Sequence, residues 1–171
     1  MTRDAVQSAA EELLRRCPSG GSAPDPFAIA RTLDVPVTVR DIGKLKGFYC
    51  MLRGSPVIIL SDTLRGVMAD IVCAHELGHH ILHQSMADKL TFSDYDLYVS
   101  EVRLEQEANL FAAFLLIPEE RLQEELHHVS EGGLSLDELA RRCGTTQQLM
   151  AIRLGCSERP VVFPDGAVQW A

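Results

Sequence analysis

The sequence lacks a hydrophobic run long enough to cross a membrane. Its longest apolar runs, residues 57–60 and 110–118, fall well short of the ~20 residues that a membrane span requires. The first residues, Met1-Thr2-Arg3-Asp4, also lack the apolar stretch of a secretory signal peptide. We therefore predict a cytoplasmic protein that does not act in a membrane.

Paired cysteines are absent as well. The five cysteines are odd in number and widely spaced, and they include no C-x-x-C pair. This pattern argues against a disulfide framework and against a cysteine zinc cluster. We predict that all five are reduced thiols, as in most cytosolic proteins.

Basic residues are few. The chain has 16 Lys plus Arg against 24 Asp plus Glu, which gives a formal net charge of −8. This balance argues against binding of the whole surface to nucleic acid or to an anionic membrane. The remaining composition, 46% hydrophobic and 6% aromatic in 171 residues, predicts one globular domain with at most a small appendage.

Hydrophobic periodicity predicts an α+β fold. Apolar residues at helical spacing predict helices over residues 3–16, 27–33, 64–83, 97–117, 122–128, 135–143 and 146–154. Alternating and β-branched residues predict strands over residues 35–39, 48–52 and 57–60, and a terminal hairpin over residues 160–171. We therefore expect a small three-stranded sheet packed on a mainly helical core, with a C-terminal helical hairpin.

One predicted helix carries the pattern H-E-x-x-H. His75 and His79 are four residues apart, so their side chains lie one turn apart on the same face and can bind a single zinc ion. Glu76 lies about 100° around the helix from His75. From there its carboxylate can reach a water activated by zinc, rather than the zinc itself, and act as the base that takes the proton of that water.

A catalytic zinc ion needs a third protein ligand and an open fourth position. His83 lies about 12 Å along the helix axis from His75, which is too far for both residues to bind one ion. We therefore predict that His83 is a packed or capping histidine. His80 points about 100° away from His79. We predict that it contacts a metal ligand rather than the metal, or that it faces solvent.

The next long helix offers a better third ligand. Glu105, Ala108, Asn109 and Ala112 share one face at helical spacing, and the small side chains would let this helix approach Gly78 to near 8 Å. We predict that Glu105 binds the zinc ion and that Asn109 hydrogen-bonds to a ligand and orients it.

Two alternatives to this assignment remain open. Glu107 is a rival ligand, and its offset of about 200° from Glu105 means that only one of the two carboxylates can face the metal. In the other alternative, Glu101, Glu105 and Glu107 form only a solvated acidic face.

Together, the two helical motifs resemble those of the ImmA/IrrE family of bacterial zinc metallopeptidases. The matching stretches are C-A-H-E-L-G-H-H-I-L-H at residues 73–83 and E-Q-E-A-N-L-F-A-A-F-L-L-I-P at residues 105–118, with further likeness at 47–60 and 136–140. The resemblance covers about residues 25–156. It implies a gluzincin-like core in which the E-x-x-A-N element supplies the glutamate ligand, which is Glu105 here.

The resemblance also implies a substrate. Proteins of this family cut a partner repressor that carries an Xre-type helix-turn-helix, and the cut derepresses a prophage or integrative element. The implied function is that of a zinc-dependent endopeptidase with a protein substrate. Tyr49, Tyr95, Tyr98 and His80 are candidates for stabilising the oxyanion by their chemistry alone.

The predicted domain organisation has two parts. Residues 1–130 form the metallopeptidase core, and residues 131–171 form a helix-turn-helix-like hairpin and a terminal β-hairpin packed on that core. Residues 135–154 contain only three basic residues, Arg141, Arg142 and Arg153. This scarcity favours packing or repressor docking over direct DNA binding.

A non-enzymatic reading is the alternative to the peptidase. In it zinc staples the two helices of a regulatory module that binds DNA or a protein. A fourth protein ligand that closes the coordination sphere, such as Glu107 or His83, would favour this alternative.

Overall fold

The computed structural model describes residues 1–20, 23–87, 97–127, 133–155, 160–162 and 168–170. Within these ranges the helices are α1 (Arg3–Arg16), α2 (Pro26–Thr32), α3 (Val67–Ala87), α4 (Leu97–Leu116), α5 (Glu119–His127), α6 (Leu136–Arg142) and α7 (Gln147–Leu154). The strands are β1 (Val37–Arg40), β2 (Gly47–Leu52), β3 (Ser55–Ser61), β4 (Leu134–Ser135), β5 (Pro160–Val162) and β6 (Val168–Trp170).

Several helices begin and end at residues with suitable capping chemistry. The Asp25 carboxylate accepts hydrogen bonds from the backbone N–H groups of Phe27 and Ala28 at the start of α2. The Ser135 and Thr146 hydroxyls cap α6 and α7 in the same way. Such caps satisfy N–H groups that have no partner within the helix.

The first sheet has the strand order β1-β3-β2, with β1 parallel and β2 antiparallel to β3. Leu52 pairs with Ser55, so only Arg53 and Gly54 connect β2 to β3. Both connecting residues have positive φ, 53° and 79°, as a type I′ turn requires. The strand order makes β2 an edge strand of this sheet, and the same strand lies against α3.

The buried core lies between α3 and α4, with α1 and α2 packed around it. α3 contributes fully buried Cys73, Ala74 and Leu77, and α4 contributes Phe111 and Leu115. Polar residues of the same two helices face each other along one seam, which contains His75 and His79 of α3 and Glu105 and Asn109 of α4. This seam contains the candidate site.

The C-terminal helices pack on α4 through a buried arginine. Arg153 Nε donates to the carbonyl oxygen of Ile117 at 2.8 Å, and its guanidinium lies over the ring of Phe114 at 4.6 Å. The guanidinium also contacts the Glu119 carboxylate at 2.6 Å. Burial of this guanidinium is tolerated because each of its contacts offsets part of the free energy of hydration that it loses.

The α+β fold, with a three-stranded sheet packed on a helical core, is confirmed. The structure differs from the prediction in its details: α3 begins at Val67 rather than residue 64, because Gly66 has a left-handed φ of 53°. α3 also continues to Ala87, and the rest of the predicted loop, residues 88–96, lies outside the described residues. The prediction missed β4, which joins β5 and β6 in a second sheet.

No described helix is both long enough and apolar enough to serve as a membrane span.

Candidate metal centre

Two helices bring three potential metal ligands together. α3 places His75 and His79 one turn apart, with their Nε2 atoms 3.1 Å from each other. From α4, Glu105 Oε2 lies 3.1 Å from His75 Nε2 and Glu105 Oε1 lies 3.2 Å from His79 Nε2. The ligand atoms of the three residues all lie within 4.8 Å of one another.

This arrangement fits a zinc ion. Tetrahedral zinc with bonds of about 2.1 Å separates its ligand atoms by about 3.4 Å, and the observed separations are 3.1 and 3.2 Å. Two imidazoles and one carboxylate are also a donor set of catalytic zinc sites. The Glu105 side chain is 56% exposed, so this side of the site is open to solvent.

His75 is held by a residue of α4. Its Nδ1 lies 3.0 Å from Asn109 Oδ1, and the amide oxygen can only accept a hydrogen bond. Nδ1–H is therefore the donor in this contact, and Nε2 is the ring nitrogen that lies near Glu105. The structure thus places Asn109 where it can orient His75, which is the role that the sequence predicts for it.

His79 is neutral in the folded protein. Burial, followed by the neighbouring imidazoles of His75 and His83, lowers its pKa from 6.5 to about 3. A histidine binds a metal through an unprotonated nitrogen, so the site does not have to release a proton from His79 near neutral pH.

Glu76 is a buried carboxyl group next to these ligands, with 5% of its surface exposed. Burial, and after it the negative charge of Glu105, raises its pKa from 4.5 to about 7, while a hydrogen bond from the Tyr49 backbone acts in the opposite direction. A general base works best with a pKa near the working pH. The environment of Glu76 therefore suits it to accept and return a proton.

His80 and Tyr49 form a contact between α3 and β2. His80 Nδ1 lies 3.1 Å from Tyr49 Oη, and the two rings meet edge to face. The structure thus brings two of the four candidates for oxyanion stabilisation together. Tyr95 lies outside the described residues, as does the side chain of Tyr98.

His83 and Glu107 are not among the three converging ligands. They contact each other instead, with His83 Nε2 3.0 Å from Glu107 Oε2, and both are buried. The sequence predicts a packed His83 and treats Glu107 as a rival to Glu105, but it does not predict their pairing. The sequence held one signal for this pairing. His83 lies one helical turn beyond His79, and Glu107 lies two residues beyond Glu105.

The seam is narrow because Gly78 lies against Ala108. A Cβ at position 78 would lie 3.1 Å from the Cα of Ala108 and 3.2 Å from its carbonyl oxygen. These are backbone atoms, so they cannot move aside as a flexible side chain would. The absence of a side chain at Gly78 thus allows α4 to bring Glu105 within reach of the two histidines.

We expect Gly78→Val to separate the helices and to weaken both zinc binding and folding. Overpacking a tight contact costs about 1–3 kcal/mol, whereas replacing a helical glycine recovers about 0.5–1 kcal/mol at most. Urea unfolding and zinc titration measure the two effects. Ser8→Val, on the exposed face of α1, is the matched control, and equal effects of the two substitutions would contradict this account.

The fold and the two-histidine, one-glutamate seam define an α+β protein with a possible metal site between two helices. The chain belongs to the Peptidase_M78 family, described as the IrrE N-terminal-like domain, which matches residues 30–155.

Two individual proteins are also similar to this chain. "Uncharacterized immunity region protein 2" of Bacillus phage phi105 is 28% identical over 120 residues, which are 67% of this chain and 69% of the relative. A solved structure titled "Mycobacterium tuberculosis transcriptional regulator" has the same fold, with a TM-score of 0.60 at 19% identity. That match covers 91% of this chain, which spans 57% of the other protein's length.

Proposed function

We propose that this protein is a cytoplasmic zinc endopeptidase that cleaves a helix-turn-helix repressor and thereby derepresses a prophage or integrative element. The observation that carries the proposal is the convergence of His75 Nε2, His79 Nε2 and the Glu105 carboxylate beside the buried carboxyl of Glu76. Membership of a peptidase family supports the same chemistry.

The proposed reaction divides the work between the metal and one carboxylate. When bound, zinc polarises the scissile carbonyl and makes water a better nucleophile at neutral pH. Glu76 takes a proton from the attacking water as its oxygen bonds to the carbonyl carbon. Glu76 then gives that proton to the leaving nitrogen as the C–N bond breaks, and the products are a carboxylate and an amine.

The surroundings of the seam favour an enzyme over a structural zinc staple. The staple requires a fourth protein ligand, but Glu107 and His83 contact each other rather than the three converging atoms. Within the described residues, the cluster that could hold a metal has three members. Three ligands and an exposed side leave a position for water and substrate.

The proposed substrate class rests on the family and on a phage relative. The relative is a phage protein that is called an immunity region protein. Direct DNA binding is disfavoured because Arg141 and Arg142 pair with the acidic residues Asp137 and Glu138 of their own helix. We propose that residues 131–171 pack on the core, and that their helical hairpin serves this packing or docks the repressor.

Co-expression with the helix-turn-helix protein encoded beside this one tests the proposal. We expect two repressor fragments when the wild type is co-expressed. With the purified proteins, we expect cleavage to be lost after a zinc chelator removes the metal and to recover when zinc is added, so the metal-free protein is the matched control. An intact repressor after incubation with the zinc-loaded protein would overturn the proposed substrate.

A further inference from the structure

A buried chain of polar groups leads from Glu107 to one of the candidate metal ligands. His83 and Glu107 are 5% and 7% exposed, and His83 Nε2 lies 3.0 Å from Glu107 Oε2. On the other side of the ring, His83 Nδ1 lies 3.2 Å from His79 Nδ1. The proposed reaction uses neither Glu107 nor His83, although both are close to the site.

Glu107 has positively charged partners besides its contact with His83. Arg103 Nε donates to Glu107 Oε1 at 2.9 Å, and the amino group of Met1 contacts the same oxygen. His83 Nε2 contacts the other oxygen, Oε2. Both oxygens of this buried carboxylate therefore have partners, which hold it in place behind His83.

The direction of each hydrogen bond follows from the ring nitrogen that His79 would offer to zinc. A histidine that binds a metal through Nε2 carries its proton on Nδ1, so His79 Nδ1–H would donate to His83 Nδ1, 3.2 Å away. His83 would then carry its own proton on Nε2 and donate it to Glu107 Oε2.

The two histidines of the site are thus oriented by different groups. His75 donates to the neutral amide of Asn109 at 3.0 Å, whereas His79 donates to a histidine that is itself bonded to a carboxylate. A carboxylate behind a ligating histidine raises the basicity of the ligand as well as fixing its ring.

We infer that Glu107 and His83 are positioning residues that fix the tautomer and ring orientation of His79 and so increase the affinity of the site for zinc. This inference rests on the metal site of the proposed function. It assigns a role to two residues that the ligand set leaves out, and it requires neither of them to touch the metal or the substrate.

Zinc affinity and the tautomer of His79 test the inference together. Competition with a chromophoric chelator gives the zinc Kd, and ¹⁵N NMR of the metal-free protein shows which ring nitrogen of His79 carries the proton. We expect Nδ1–H in the wild type. In His83→Leu we expect a mixture of tautomers and a zinc affinity that is about 10–100-fold lower.

The conservative variant His83→Asn separates orientation from packing. Its amide oxygen can take the place of the His83 Nδ1 acceptor, so we expect it to recover part of the affinity and the Nδ1–H tautomer of His79. A purely structural role would leave the tautomer unchanged in His83→Leu. Glu119→Gln, which removes a carboxylate from the Arg153 contact, is the matched control and should bind zinc like the wild type.

The outcomes distinguish this inference from the proposed function. Equal zinc affinity of wild type and His83→Leu, or a wild-type His79 protonated on Nε2, would overturn the inference and leave the peptidase proposal standing. A wild type that binds no zinc would overturn both. If His83→Leu does not fold, Glu107→Gln replaces it, with a weakened zinc affinity expected and an unchanged one decisive against the inference.

Discussion

Replacing Glu76 by glutamine is expected to leave zinc bound and to reduce repressor cleavage by a factor of about 10²–10⁴, the usual contribution of a general base. Glutamine keeps the shape of the side chain but cannot accept a proton from water. The three converging ligand atoms belong to His75, His79 and Glu105, so the substitution leaves them intact. Cleavage rates and zinc content of the same purified sample test both parts, and full activity in the variant would rule out this mechanism.

The stability of the metal-free variant provides a control for its folding. The pKa of Glu76 rises from 4.5 to about 7 on folding, chiefly through burial. Between these values the folded protein binds more protons than the unfolded chain, so this group makes stability fall as pH rises. The loss has a size on the order of 3 kcal/mol by pH 8.

Glutamine has no proton to lose, so Glu76→Gln should unfold at higher urea than the wild type at pH 8. The two proteins should converge below about pH 4, where the wild-type carboxyl is mostly protonated in both states. Because both carry the same histidines, the difference between their stabilities isolates position 76. A variant less stable than the wild type at pH 8 would mean that the substitution disrupts the fold, and its inactivity would then carry no mechanistic weight.

Local sequence spacing is sufficient for the parts of the site that lie on one helix. His75 and His79 are four residues apart on α3, and helix geometry alone brings them together. Glu105 could be predicted as a ligand by a second step, because Gly78 and the small residues beside Glu105 indicated which faces of α3 and α4 meet. In the structure Gly78 and Ala108 do lie in close contact.

Features that depend on distant parts of the chain were not predictable in this way. β4 is two residues long and exists because it pairs with β5, so it has no periodicity of its own. Arg153 is a basic residue that becomes buried by bonding to the Ile117 carbonyl. That carbonyl belongs to the end of α4, where helices leave oxygens without partners, and the sequence does not reveal which distant donor will supply one.

The pairing of His83 with Glu107 is another feature that the sequence alone does not predict. The offset of Glu107 from Glu105 indicated that only one carboxylate faces the metal, but it did not show what the other one does. A buried carboxylate requires partners, and these come from α3, from α4 and from the chain start. Burial is a property of the assembled core, so this contact could be recognised only in the structure.

Among substitutions in α4, Glu105→Ala is expected to cause the largest loss of zinc affinity. Apparent binding free energies of about 10–16 kcal/mol for four-ligand zinc sites correspond to about 3 kcal/mol for each ligand. Removal of one ligand should therefore weaken zinc binding by at least about a hundredfold. Because the Glu105 side chain is 56% exposed, the metal-free variant should unfold at nearly the wild-type urea concentration.

This combination separates a ligand from a structural carboxylate. Glu124→Ala on the exposed face of α5 should change neither quantity, whereas Glu107→Ala should lower the stability of the metal-free protein because it leaves His83 and Arg103 without their acceptor. Chelator competition and urea unfolding of the three variants give both numbers. If Glu105→Ala bound zinc as tightly as the wild type, the third ligand would have to be another group, and the convergence that carries the proposed function would have no role in metal binding.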